Sequence, residues 1–355
     1  MKHLSKKISI LALVNNGGSK YFRVTIPLEL LPKDKYEVTY LNEKFFLEHI
    51  VKDYDYIYIH WIQMTNPVYL SIWKEKYGFK IIQDIDDYWQ LPIGHHLKEK
   101  LEKSKPQLFN QLILADLVLC STPFLLEKCL KYNDNCHLRE NYIPINYYQF
   151  QTELKLVKPN QKIKIGICGS ISHLNDWLSI RNHLKRILND KFIADNYEFV
   201  IAGYADDNQS SKEMWDKIVS LFTSKLIKPI IIKHLPVNEY INLYNHLDVL
   251  LAPLENNEFN KAKSGLKLME SSVKSTIVIS NDIYKQKGFI DYLSTDKHSY
   301  YEWLRKLTDR NLLNNYKIEF QKNLLEISNQ YKTKYNLEQS LENFLKMIHL
   351  KVGYL

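Results

Sequence analysis

No apolar segment of this 355-residue chain approaches the roughly 18 residues that cross a bilayer as a helix, so at most the protein lies on a membrane surface. Its four cysteines, Cys120, Cys129, Cys136 and Cys168, form no Cys-x-x-Cys pair. Neither a zinc ribbon nor a disulfide framework is indicated, and reduced thiols in a cytoplasmic protein are the simplest expectation. The opening "MKHLSKKISILALVNNGG" sets basic residues ahead of an apolar run. Ile8 to Val14 is short for a signal-peptide core and "NNGG" offers no small-x-small cleavage site, so we read a first buried strand. Low-complexity tracts and short repeats are also missing. So is the Gly-x-Gly-x-x-Gly fingerprint after the first strand of either half, where the sequence has "VNNGGSKYF" and "ICGSISHLND". That absence counts against an NAD enzyme.

What the chain does contain is a hydrophobic content of 45% and a charged content of 25%, the balance of a soluble globular protein. Its length suits two domains better than one core. A net charge of +8 favours an anionic partner such as a nucleotide, a phosphorylated lipid surface or a nucleic acid. The lysines are scattered as on solvated helix faces, so only those in a special context point to a site.

Short apolar runs alternate with helical patterns from the start. "ISILALV", "YEVTYL", "YDYIYIHW", "KIIQDID" and "DLVLCST" are separated by stretches such as "YFRVTIPLELL" and "NPVYLSIWKEKY". Continuous apolar strands spaced by helices indicate a parallel sheet covered on both faces, a doubly wound α/β unit. The polar, aperiodic "QTELKLVKPNQ" is the linker candidate. After it the alternation restarts with "KIKIGICG", "YEFVIAGY", "KPIIIKHL", "DVLLAPL" and "STIVIS", and the chain ends in helical patterns such as "LEQSLENFLKMIHL". The expected division is 1–150 and 162–330 as two Rossmann-like domains, 151–161 as linker, and 331–355 as a C-terminal helix packing back on the first domain. Ligands of such sheets bind beyond the carboxyl ends of the strands, here in a cleft between the two domains.

The segment "NKAKSGLKLME", Asn260 to Glu270, follows the apolar run "LDVLLAPL". If Ser264 caps the next helix, Gly265 to Leu268 form its first turn and offer amides to an anion. Lys263, Lys267 and Glu270 then fall roughly on one face if the helix begins early enough. Lysines oppose the dipole at that end, which makes sense if a diphosphate sits between them and the amides. The bland alternative is a Lys-rich surface helix.

The pattern Asn-x-x-Lys-Ser-x-x-Lys-x-x-Glu, with "GICGSISHLND" opening the second half and "DIDDYWQLP" in the first, resembles the two-domain GT-B glycosyltransferases, particularly bacterial and phage-type relatives of the family-4 retaining enzymes. The resemblance implies two Rossmann-like, doubly wound parallel-sheet domains facing a cleft, with C-terminal helices. It implies that the second domain binds a nucleotide sugar, a UDP-sugar foremost, and the first the acceptor. Ser264, Gly265 and Leu266 would then give amides to the diphosphate, Lys263 or Lys267 would neutralise it, and Glu270 would contact the ribose. The family commonly carries two glutamates separated by seven residues. Here the position that pairs with Glu270 is Ala262, with Glu255 and Glu258 out of register, so the motif speaks for the nucleotide rather than the sugar.

Three further loops follow strands. In "GICGSISHLND", Gly166, Gly169 and Ser170 allow close approach of a ligand to backbone. His173 is placed to donate to a phosphate or to the transferred sugar, or to serve as a helix cap, with Asp176 three residues on. In "QDIDDYWQLPIGHH", Asp84, Asp86 and Asp87 are too close for an accident yet make a poor metal cage. Any of the three is a candidate catalytic or acceptor-orienting group, with Trp89, His95 and His96 nearby. In "NNGGSKYFRV", Gly17 and Gly18 permit close backbone approach, and Arg23 either meets an acidic acceptor or lies on a helix surface. No nucleophile for double displacement is identified. By family similarity we expect front-face retaining transfer with no metal and no other cofactor, onto a saccharide, a lipid-linked glycan or a modified DNA base. The last acceptor would belong to a phage-type DNA-base glycosyltransferase acting in a host cytoplasm. A non-catalytic nucleotide-sugar-binding module is the alternative of a different class.

Overall fold

Residues 7–14, 18–61, 66–95, 97–285, 289 and 292–352 are described by a computed structural model. Two compact units emerge: one of residues 1–141, 261–264 and 333–355, the other of 142–260 and 265–332. Gly17 and His96 lie outside the described residues.

The first unit contains six parallel strands, β1 (Ile8–Val14), β2 (Tyr36–Asn42), β3 (Tyr56–His60), β4 (Lys80–Ile85), β5 (Leu117–Cys120) and β6 (Cys136–Leu138), in the order β2-β1-β3-β4-β5-β6. β3 and β5 are buried along their whole length. That is why their sequences are largely apolar rather than alternating, with His60 the exception at the end of β3. The C-terminal helix Leu337–Val352 completes this core. Its Leu337, Leu341 and Phe344 pack with Ile10, Ala12, Tyr56 and Leu119, and Lys35 pairs with Glu338 and Glu342 at 2.9 and 3.2 Å.

After β1 the chain is helical from Gly18 to Glu29, but the turn Tyr21–Thr25 is π-helical. Pro27 explains the irregularity. It has no N–H for the Arg23 carbonyl one turn back, and its ring would crowd that carbonyl. The freed Arg23 carbonyl accepts instead from the Tyr58 hydroxyl at 3.1 Å and Arg139 Nη2 at 2.6 Å.

The second unit contains β7 (Ile163–Cys168), β8 (Tyr197–Tyr204), β9 (Ile230–Lys233), β10 (Val249–Leu251), β11 (Ile277–Ser280) and β12 (Leu293–Ser294), all parallel, in the order β12-β11-β10-β7-β8-β9. The order reverses between β7 and β10, so the loops after those two strands flank the position where such sheets bind ligands. "QTELKLVKPNQ" lies along this unit as an extended strap. Its Glu153, Lys155 and Val157 amides donate to Val273 O, Ser275 Oγ and Asn314 Oδ1 at 2.8 to 2.9 Å. The two strands absent from the expected pattern, β6 and β12, are short sheet edges with weak apolar signatures.

Candidate functional site

In the second unit the backbone after β7 turns at Gly169, with φ +149°. A Cβ there would stand 3.2 Å from Lys267 Nζ and 3.3 Å from His173 Cδ2. Bare backbone, an ammonium and an imidazole therefore converge on one point. Gly203, at the end of β8 with φ +101°, closes the other side: a Cβ on it would approach the Gly169 carbonyl to 2.5 Å.

Each polar group of this cluster is held by another. Lys267 Nζ donates to the Cys168 carbonyl at 2.7 Å, which pins the ammonium at the carboxyl end of β7. Its other N–H groups remain for an anion. Asp176, 5% exposed, takes His173 Nδ1 on one oxygen at 2.9 Å. Its second oxygen accepts from the Glu255 amide and Asn260 Nδ2 at 2.9 and 2.8 Å. A carboxylate on Nδ1 fixes the ring and favours the proton there. Asn260, the first residue of the motif, thus acts on His173 through Asp176. No sequence signal links positions so far apart.

Helix Leu266–Val273 has Gly265 at its cap position and no side-chain cap, which corrects the expectation that Ser264 caps it. Ser264 Oγ instead accepts from Asn141 Nδ2 at 2.8 Å in the first unit. Because the helix starts at Leu266, Lys263 precedes it and does not share the face of Lys267 and Glu270. Gly265 is required by packing, since a Cβ there would lie 2.2 Å from the Phe289 ring. Glu270 is buried and accepts the Tyr244 hydroxyl at 2.8 Å. Burial raises its carboxyl, with Lys267 and Tyr244 opposing the shift. Ser170 is exposed, its hydroxyl 2.6 Å from that of Ser172.

The first unit holds a second cluster. Asp84 is fully buried. Its carboxylate accepts Arg23 Nε at 2.7 Å and Nη2 at 3.1 Å, Arg139 Nη2 at 2.6 Å and the Tyr58 hydroxyl at 2.7 Å. Burial alone would raise this carboxyl, but the Arg23 and Arg139 guanidiniums hold it well below the usual range. Arg23 is itself 1% exposed. This corrects both sequence readings of Arg23, because its planar fork is committed to Asp84 and to the Arg139 carbonyl and Asn141 side chain. With one hydrogen bond on Oδ1 and three on Oδ2, Asp84 organises the cluster from beneath.

Asp86 and Asp87 are only partly buried. Asp86 Oδ1 lies 2.9 Å from His60 Nε2, and His60 is buried with its Nδ1 unpartnered. Asp87 is pushed up to about 6 by burial and by the Asp86 charge, with Lys263 and His60 opposing. Trp61, next after His60, sits at φ +61°, a left-handed conformation of the kind that collects at functional sites. Its amide donates to the Asp84 carbonyl at 2.9 Å and its carbonyl accepts from Gln83 at 2.6 Å. Trp89 belongs to an aromatic core with Tyr88, Phe109 and Tyr132. Gly18 is exposed at the start of its helix. Among the described residues no group of three or more His, Cys, Asp or Glu is arranged to hold a metal.

His60, Tyr58, Arg139, Asn141 and Tyr244 were not legible as site residues. Each is polar within or beside an apolar strand or helix, and only its buried partners mark it out.

No family model matches the chain, and no curated protein matches it in sequence. Its structure is similar to that of a sucrose-phosphate synthase from Thermosynechococcus elongatus, at 13% identity and TM-score 0.64 over 98% of this chain and 99% of that one. An alpha-glucosyltransferase in complex with UDP and a 13-mer DNA containing a HMU base aligns at 12% identity and TM-score 0.62, over 96% and 100% of the two chains. An alpha,alpha-trehalose-phosphate synthase (UDP-forming) from Burkholderia xenovorans aligns at 11% and 0.53, over 92% and 99%. Two six-stranded parallel α/β units in one chain, matched end to end by these enzymes, give this protein the GT-B glycosyltransferase fold.

Proposed function

We propose that the protein is a glycosyltransferase that moves a sugar from a nucleoside-diphosphate sugar, a UDP-sugar foremost, to a hydroxyl acceptor. One observation carries this reading: Lys267 Nζ, tied to the carboxyl end of β7, stands with His173 over the bare Gly169 backbone. That point flanks the β7/β10 reversal, where sheets of this order take nucleotides. The UDP-bound alpha-glucosyltransferase and the UDP-forming synthase among the structures similar to this one support the choice of nucleotide.

In this reading the diphosphate lies against Lys267 and the first amides of helix Leu266–Val273, which stabilise the charge that grows as the glycosidic bond to the leaving phosphate breaks. A leaving group neutralised by fixed protein cations needs no divalent ion, and we assign none. His173, oriented by Asp176, donates to the phosphate or to a sugar hydroxyl. In the first unit, Asp86 and Asp87 orient the acceptor hydroxyl. Asp87, with its carboxyl near 6, is suited to hold the acceptor proton near neutrality. We assign retention of configuration, with attack on the face from which the diphosphate leaves. A DNA acceptor is favoured specifically by the likeness to the DNA-bound alpha-glucosyltransferase together with the net charge of +8.

A thermal-shift panel of nucleoside diphosphates and nucleotide sugars on wild type and Lys267→Ala tests the donor site. UDP at 100 times Kd should stabilise the wild type by about 2.7 kcal/mol. Loss of one charge-assisted contact should weaken UDP by about 10- to 150-fold in Lys267→Ala. If no nucleotide stabilises the wild type, the donor reading fails. Release of UDP from a donor excludes a purely binding role. Salt-dependent retention on duplex DNA, steepest below ~0.2 M salt, supports the DNA acceptor, and its absence favours a saccharide or lipid-linked glycan.

A further inference from the structure

The transfer chemistry makes no use of a cavity of about 290 Å³ in the second unit, lined by Leu178, Arg181, Lys185, Lys217, Ser220 and Leu221 among others. Arg181 and Lys185 stand one turn apart on helix Arg181–Leu188, and Lys217 comes from helix Gln209–Leu221. Like charges at that spacing repel. Neighbouring charges are treated differently: Lys191 pairs with Asp195 at 3.0 Å on the next helix, Lys212 with Asp216 at 3.3 Å on helix Gln209–Leu221, and Arg186 stacks over the Tyr301 ring. The sequence of helix Arg181–Leu188 contains no carboxylate at all. On the second helix Asp216 faces Lys212, and Glu213 accepts from Gln209. The three cations of the cavity have no ion-pair partner among the described residues. They converge on a concave space at the lower end of the ~300–1,000 Å³ that small-molecule sites occupy.

We propose that this cavity binds a phosphorylated small molecule. Its phosphate lies among Arg181, Lys185 and Lys217 with the Ser220 hydroxyl as a further donor, and Leu178 and Leu221 face the carbon skeleton. Three positive charges from two helices match a doubly charged phosphate better than a carboxylate, and Arg181 supplies the bidentate fork that phosphate oxygens accept. The cavity is lined by helix residues and by the turns that follow helices Arg181–Leu188 and Gln209–Leu221, and shares no residue with the Gly169–Lys267 cluster.

Lysine acylation followed by peptide mass spectrometry reads the site locally, with inorganic pyrophosphate as probe and sodium chloride of equal ionic strength as control. Acylation of Lys185 and Lys217 should slow about threefold once pyrophosphate stands at about twice its Kd, because the free fraction falls to one third. Lys191 and Lys212 should not change. Arg181→Ala, at an exposed position, should abolish the protection of Lys185 and Lys217 while leaving any protection of Lys267 intact. That contrast separates failure here from failure of the donor site. Equal slowing at all four surface lysines, protection by duplex DNA but not pyrophosphate, or no protection up to ~10 mM pyrophosphate, a Kd too weak for a specific site, overturns the proposal.

Discussion

Replacing Asp84 by asparagine keeps its shape and removes its charge. Four hydrogen bonds end on this carboxylate, three from guanidinium groups and one from Tyr58. In the variant one oxygen becomes an amide nitrogen aimed at donors, and two buried guanidiniums lose their counter-charge. Breaking a buried pair from one side costs about 3–5 kcal/mol. At ~2–4 °C per kcal/mol for a unit of this size, calorimetry should show the transition of the first unit lowered by about 6–20 °C. The pH dependence adds a second check. The Asp84 carboxyl is held below its ordinary value when folded. Its contribution is therefore complete above the unfolded value near ~4 and is lost as pH falls further. The gap between wild type and Asp84→Asn should stay constant from about pH 8 to 5 and narrow only below ~4. Asp86→Asn is the control: its carboxylate is partly exposed and pairs with His60, so the loss should be about 1 kcal/mol. A loss below about 1 kcal/mol in Asp84→Asn, or no larger than in the control, refutes the view of Asp84 as the charge centre of a buried network.

Asp87 has the opposite sign. Its carboxyl rises from the ordinary value to about 6 in the fold, so its ionisation opposes folding as pH rises from about 4 to 6. Asp87→Asn should stabilise the protein by about 1–2 kcal/mol at pH 7.5, the full shift being discounted for partial exposure, and by nothing near pH 4, as read by denaturant midpoints. Gly265→Ala places a methyl 2.2 Å from Phe289 and should cost about 1–3 kcal/mol. A second change, Phe289→Ala, should recover part of that loss in a double-mutant cycle. Leu341→Ala opens the joint between the C-terminal helix and the first sheet, where Leu341 is 1% exposed. We expect a loss of about 2–5 kcal/mol by urea unfolding, and hydrogen exchange should quicken in both Leu337–Val352 and β1.

The alternation of apolar runs and helical patterns was enough to place the long strands of both sheets. Burial on two faces forces a continuous apolar sequence, and that constraint is local. β6 and β12 escaped because they are three and two residues long, too short to carry a pattern, whereas the edges β2 and β9 are longer and richer in β-branched and aromatic residues. "NKAKSGLKLME" does follow β10, as its sequence position implied, but its internal geometry was not legible: Lys263 and Ser264 belong to the first unit, and Gly265 onward to the second.

The sequence alone determined the two-sheet α/β plan and where the long strands end, because period and apolar content are read residue by residue. Tertiary structure alone decided what each charge does. Asp84 and Asp87 stand three positions apart on one strand end. One is locked beneath two arginines while the other is held near neutrality beside a like charge and a lysine. A carboxylate's behaviour is set by the dielectric and the partners around it, and these come from Arg23, Arg139 and Lys263, residues that only folding brings to its side.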